Sequence, residues 1–225
     1  MNLTKNPSAQ DQISALHQIG QILGTTTDFE DALNKILEHI CKRLNMSIAT
    51  VSLLHEEMGQ VAIDVAYGLS QKEMERGRYN VGEGITGKVV ESGKSVIVPR
   101  INSEPMFLNR TGAHRNENEP TSFICVPISL SQRVVGTLSV DTPYQSDAVL
   151  QDTVRLLTIT AVMIAQSVTH RQRARDEQMQ LLNENQRLRK ELKDKFNLNN
   201  LIGNSRPMQE IGHLVQQVAP SDATV

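Results

Sequence analysis

Between residues 9 and 24, the apolar side chains Ile13, Leu16, Ile19, Ile22 and Leu23 return every three or four positions, the period of one helix face. Gly24 and the threonines at 25–27 interrupt that rhythm. Asp28 then stands where an N-cap is needed, with Asp31 adding negative charge to the first turn. A second helix is predicted, with Phe29, Leu33, Ile36, Leu37, Ile40, Cys41 and Leu44 as its buried stripe. Residues 47–54 and 61–67 are strand-length runs separated by the turn-like EEMGQ, which reads as a hairpin. Strands are also predicted at 95–99, 123–130 and 133–141; the first two flank a long polar loop with Pro105, Gly112 and Pro120, and a Ser-Gln turn joins the last two. Strands in tight succession with helices grouped at both ends give the α+β class, a central antiparallel sheet flanked by helices.

From residue 147 the chain has no glycine or proline until Gly203, so one long helix is predicted. Its first half sets Leu150, Val154, Leu157, Ala161, Ile164 and Val168 in a seam able to pack on the domain and on a partner helix. Beyond His170 the composition becomes polar and charged, with Leu181, Leu188 and Leu192 on a heptad frame that turns Asn185 inward. Two readings stay open: a two-stranded coiled coil whose register Asn185 sets, or a solvated helical linker. After Phe196, Gly203 and Pro207 punctuate a short amphipathic helix carrying Met208, Ile211, Leu214, Val215 and Val218, too short to fold alone. The organisation expected is a disordered start at 1–8, a domain at 9–170, a coiled-coil linker at 171–196 and the truncated start of a further domain at 197–225.

Composition narrows the function. Twenty-three Lys and Arg against 25 Asp and Glu give a net charge of -2, without the basic field of a DNA-binding module. Cys41 and Cys125 are too few to staple a secreted scaffold of 225 residues, and both sit in apolar patterns. No leader pattern and no long unbroken apolar run stand out, so a soluble cytoplasmic protein without membrane contact is expected. The phosphate-binding loop, nucleophile elbow, His-Glu-x-x-His and Cys-x-x-Cys motifs are all missing, and the six histidines are scattered. Neither catalysis nor metal binding is expected of this segment.

The middle of the chain is where a ligand would sit. RYNVGEGITGKVVESGKSVIVPR places Gly82, Gly84 and Gly87 before a short helix that ends at Gly93. Such glycines either expose backbone N–H groups to an anion or merely permit a tight turn, and both readings stay open. Arg76, Arg78, Arg100 and Arg110 flank the same region. The loop at 100–121 is long enough to be a lid over a pocket.

The order of these elements, with the Gly-Glu-Gly-Ile-Thr-Gly helix, the Val-Ile-Val-Pro strand, Phe-Ile-Cys-Val-Pro-Ile and Val-Val-Gly-Thr-Leu-Ser-Val-Asp, resembles a GAF domain over residues 9–170. More closely, RYNVGEGITGKVVESGKSVIVPRINSEPMFLNR and DTVRLLTITAVMIAQSV are similar to the GAF domain of NifA-type, sigma-54-dependent activators of nitrogen fixation. NLIGNSRPMQEIGHLVQQVAPSDATV resembles the opening of their AAA+ domain. The resemblance implies a regulatory sensor that binds a small anionic effector such as 2-oxoglutarate and controls an AAA+ ATPase ring through a dimeric helical linker. It also implies sigma-54 RNA polymerase and DNA as contacts of the parent protein, and in some members an inhibitory partner of NifL type. Within that frame the effector face is assigned to Tyr67, Arg78, Tyr79, Gly82, Gly84, Thr86, Arg100, Arg110 and Cys125. The competing expectation is a ligand-free GAF module for dimerisation and docking. The amino-terminal cysteine motif of alternative-nitrogenase activators, a bilin-attaching cysteine and the iron-binding set of nitric-oxide-responsive relatives find no match in the chain.

Overall fold

The structure, a computed structural model, describes residues 9–113, 120–130, 133–195 and 205–218; the side chains of residues 9, 11, 12, 168–177 and 192–195 lie outside that description. The expected disorder at 1–8 falls outside it too, as do the side chains of Val168 and Leu192. The chain divides into two compact units, Met1–Arg171 and Gln172–Val225.

In the first unit, α1 (Ala9–Thr25) and α2 (Phe29–Leu44) form from the two apolar stripes. Asp28 caps α2 by accepting from the Asp31 N–H at 2.8 Å, and Asn45 ends it in the left-handed conformation. Six strands follow: β1 (Ile48–His55), β2 (Gln60–Tyr67), β3 (Arg78–Asn80), β4 (Val96–Val98), β5 (Thr121–Leu130) and β6 (Arg133–Pro143). They pair antiparallel in the order β3-β2-β1-β6-β5-β4. Between β2 and β3 lies α3 (Gln71–Arg76), and α4 (Gly84–Ser92) precedes β4. The sequence reading missed α3 and β3, although Ser70 and Glu73 spell a capping box: the Ser70 N–H donates to Glu73 at 2.7 Å.

Each strand turns alternate residues to opposite faces. One face carries Ala49, Val51, Val65, Ile124, Val126, Leu138 and Val140 into the main core, against Leu33, Ile36, Leu37 and Ile40 of α2. The helix α5 (Asp147–Lys195) completes that layer with Leu150, Leu157, Ala161 and Ile164. These four, expected to reach a partner helix as well, are at most 2% exposed and are consumed by their own sheet; Val154 packs at the edge of the same core. The stretch Asp147–Ser167 is apolar enough to cross a membrane by length and composition, with a mean hydropathy of 1.5, yet its inward residues are this core.

In the second unit, the distal part of α5 leaves Leu181, Asn185 and Leu188 exposed, and Arg187 pairs with Glu191 one turn on. There α6 (Arg206–Val218) exposes Ile211, Leu214 and Val215.

Candidate functional site

The opposite face of the sheet is covered by α4 and by the connection between β4 and β5. A second apolar cluster forms there from Ile85 and Val89 of α4, Val98, Ile101, Phe123 and Cys125, with Met106 and Phe107 packed against it. Phe107 and Phe123 meet edge to face with ring centroids 5.2 Å apart. Beside this cluster lies a cavity of about 40 Å³. Thr50, Ser52, Ser139 and Asp141 of β1 and β6 line its floor, Tyr79, Ile85 and Thr86 line one wall, and residues 106–109 with Thr111 form the lid. That volume suits one or two waters or a small head group, so a larger ligand requires the lid to lift.

Local rules explain how the wall is placed. Gly82 has φ 84° and donates its N–H to the Gly87 carbonyl at 2.9 Å, closing the turn into α4. A Cβ at Gly87 would lie 2.2 Å from the Asn80 carbonyl oxygen, so only glycine lets α4 sit this close to β3. The irregularity in the β1–β2 pairing matches Val51 with Val65 and Ser52 with Ile63, leaving Asp64 as the extra, exposed residue. That bulge keeps Ile63 on the cavity side and Val65 on the core side.

Of the residues assigned from sequence, Tyr79 and Thr86 line the cavity. Gly84 lies under the lid, where its Cβ position would be 3.0 Å from Leu108. Cys125 is buried behind the wall, and burial pushes its thiol up to about 12, against the opposing pull of the Thr137 and Thr86 hydroxyls. Tyr67 packs at the edge of the main core on the other face.

The arginines do not line the cavity among the described residues; each meets protein groups elsewhere. Arg78 donates from Nε to the Glu75 carbonyl at 3.3 Å, and Arg100 lies over the Tyr144 ring, 5.3 Å from its centroid. Arg110 fastens the lid: it donates from Nη1 to the Arg78 carbonyl at 2.5 Å, pairs through Nη2 with Glu83 and sits 5.5 Å from the centroid of Tyr79. Glu83 also accepts from Asn80 N and Nδ2 at 2.9 and 3.1 Å. The Arg110 guanidinium is therefore already paired with the protein's own carboxylate, carried by the N-cap residue of α4, whose side chain accepts no hydrogen bond from the helix itself.

The floor residues Thr50, Ser52, Ser139 and Asp141 were missed from sequence, whereas the lid residues fall within the loop at 100–121 expected to cover a pocket. The floor's signal was the polar alternation in SIATVSLL and GTLSVD, which ordinarily marks a solvated sheet face. No group of three or more His, Cys, Asp or Glu able to hold a metal occurs among the described residues.

A family model described as GAF domain matches residues 28–168. Nitrogen fixation protein AnfA of Azotobacter vinelandii is 41% identical over 210 residues, 93% of this chain and 39% of that protein. Nitrogen fixation protein VnfA of the same organism is 36% identical, covering 96% of this chain and 42% of its own length. A Nif-specific regulatory protein of Herbaspirillum seropedicae is 35% identical, covering 95% and 40%. The chain thus spans about two fifths of the length of these curated relatives. Among solved structures, the nlh2 GAF domain of A. aeolicus in an inactive state aligns over 72% of this chain and 98% of its own, with TM-score 0.66 and 20% identity. The free methionine-R-sulfoxide reductase of Neisseria meningitidis aligns over 74% and 95%, with TM-score 0.62 and 18% identity.

Proposed function

The chain belongs to the GAF domain family, and on that premise we propose that it is the sensory, regulatory part of a transcriptional activator of nitrogen fixation. The observation that carries this reading is the lidded cavity on one face of a sheet whose other face holds α5. Relatives named as Nif-specific regulatory proteins support the biological setting. A small effector under the lid would press on β6, which turns Ser139 and Asp141 to the cavity and Leu138 and Val140 to the core shared with α5. The packing of α5 would then differ between empty and filled states, and α5 would pass that difference to an attached AAA+ domain. Effector affinity and the state of that domain would be reciprocally coupled.

In this reading the protein is a soluble cytoplasmic homodimer, and the full-length activator works with sigma-54 RNA polymerase on DNA. The effector implied by the family resemblance is 2-oxoglutarate, which would reach Arg110 only by displacing Glu83. Calorimetric titration with 2-oxoglutarate tests this: saturable heat that is lost in Arg110→Ala is the expected result. No heat at millimolar concentrations removes 2-oxoglutarate from the scheme.

A second reading, a ligand-free module for dimerisation or for docking an inhibitor of NifL type, draws on the small cavity and the self-paired Arg110. It places the contact on the exposed Ile159 and Val162 of α5, 47% and 49% accessible, rather than on the buried seam. Regulation of the full-length activator that survives filling the cavity with Ser139→Leu but fails in Ile159→Asp would favour docking.

A further inference from the structure

The turn that leads into α4 holds a carboxylate in a set place. Glu83 accepts from Asn80 N and Nδ2 through one oxygen, at 2.9 and 3.1 Å, and its other oxygen pairs with Arg110 of the lid. Although Glu83 is the N-cap residue of α4, its side chain serves the turn and the lid instead of the helix. Arg110 stands between Asn109 and Thr111, both of which line the cavity, so it is one residue from the lining on either side. Its two terminal nitrogens are spent on the Arg78 carbonyl and on Glu83. A second guanidinium lies close by: a Cβ at Gly112 would be 3.4 Å from Arg76 Nη1, and no ion pair of Arg76 is found among the described residues. This end of the lid therefore brings two cations to one carboxylate, which leaves room for a further anionic group.

Resting on the reading that the effector carries a carboxylate and acts under this lid, we infer that Glu83 is its built-in competitor. In the empty protein the Glu83 carboxylate holds the place on Arg110 that the effector's carboxylate takes in the filled one. A guanidinium offers one planar fork to a carboxylate, so the two anions exclude each other there. Binding then requires the internal pair to open, and the apparent affinity is lowered by the fraction of molecules in which it is open. Glu83 thereby sets the concentration at which the domain responds. The exchange is reversible, because the Asn80 N–H and amide contacts do not depend on the lid and keep the Glu83 carboxylate ready to recapture Arg110 when the effector leaves.

The test titrates 2-oxoglutarate and its uncharged dimethyl ester into the full chain, in the unaltered protein and in Glu83→Gln, followed by chemical-shift changes of the lid amides. The acid is expected to bind Glu83→Gln about fivefold more tightly, the range set by losing an exposed ion pair, while the ester gains nothing. A lid that is merely looser would favour both probes alike, so equal gains for acid and ester overturn the proposal. The gain is expected to vanish when Arg110→Ala is added to Glu83→Gln, and a gain that persists there overturns it as well. An acid that binds the unaltered protein at least as tightly as Glu83→Gln removes the competitor and leaves the effector reading standing. An acid that binds neither protein overturns the effector reading and the proposal together. If Glu83→Gln does not fold, Glu83→Asp takes its place: the shorter side chain draws back from Arg110, is a favoured helix cap and carries the same sign of change for the acid alone.

Discussion

Arg110 was legible as a cation beside a ligand-binding region, but its partner was not, because Glu83 lies 27 residues away and only the fold brings them together. An exposed pair of this kind stabilises the lid modestly, by less than about 1 kcal/mol. Arg110→Ala is therefore expected to leave global stability nearly unchanged while amide exchange at residues 106–112 quickens by up to about fivefold, measured by hydrogen exchange. Unchanged exchange would show that the apolar contacts of Phe107 and Leu108 hold the lid alone. Cys125 was assigned to the effector face from sequence; the structure makes it a core group with its thiol pushed up to about 12. Below pH 9 it is protonated in both folded and unfolded chains and contributes no pH dependence. Above pH 9 the unfolded chain loses its proton first, so stability falls as pH rises toward 12, by about 1.4 kcal/mol per pH unit. The decline in melting temperature from pH 9 to 10.5 is expected to be shallower in Cys125→Ala, whatever that variant costs at neutral pH.

Elements with a full apolar stripe and a local stop were readable in advance, as α2 shows: its stripe, its Asp28 cap and its end all lie within the helix and its flanks. The cap is expected to contribute about 1 kcal/mol, so Asp28→Ala lowers stability by that amount in a denaturant titration. Three-residue β3 and six-residue α3 carry too few positions for a period to show, and the capping box was the only local sign. In α5 the period was right but its destination was incomplete. A seam at three- and four-residue spacing looks the same whether it meets a partner helix or its own sheet, and here the sheet takes it. Leu157→Asp buries an unpaired charge and is expected to cost on the order of 4 kcal/mol or more, which unfolds a marginal domain. Ile159→Asp, two residues on, should change stability by no more than about 0.5 kcal/mol. Circular dichroism melts of the two variants separate folding from any loss of association.

Taken together, the chain is a six-stranded antiparallel GAF sheet clad on both faces, with a second compact unit beyond Arg171. Among the described residues the main core extends no further than Ala165, so the chain truncated after Arg171 is expected to melt within a few degrees of the intact protein by calorimetry. A much lower midpoint would mean that the second unit supports the first. The class and the order of elements along the chain were accessible from periodicity, and the length of the loop at 100–121 pointed to a covered pocket, whereas the pocket's floor was not legible, because a polar alternation says which residues share a face and nothing of what covers it. That alternation has an evolutionary consequence. In β1 and β6, even small changes at Thr50, Ser52, Ser139 or Asp141 alter the floor without touching Ala49, Val51, Leu138 or Val140 in the helical core. Ligand preference in this scaffold can therefore drift by single substitutions while the load of folding rests on the neighbouring positions, leaving one fold free to diversify in what it senses.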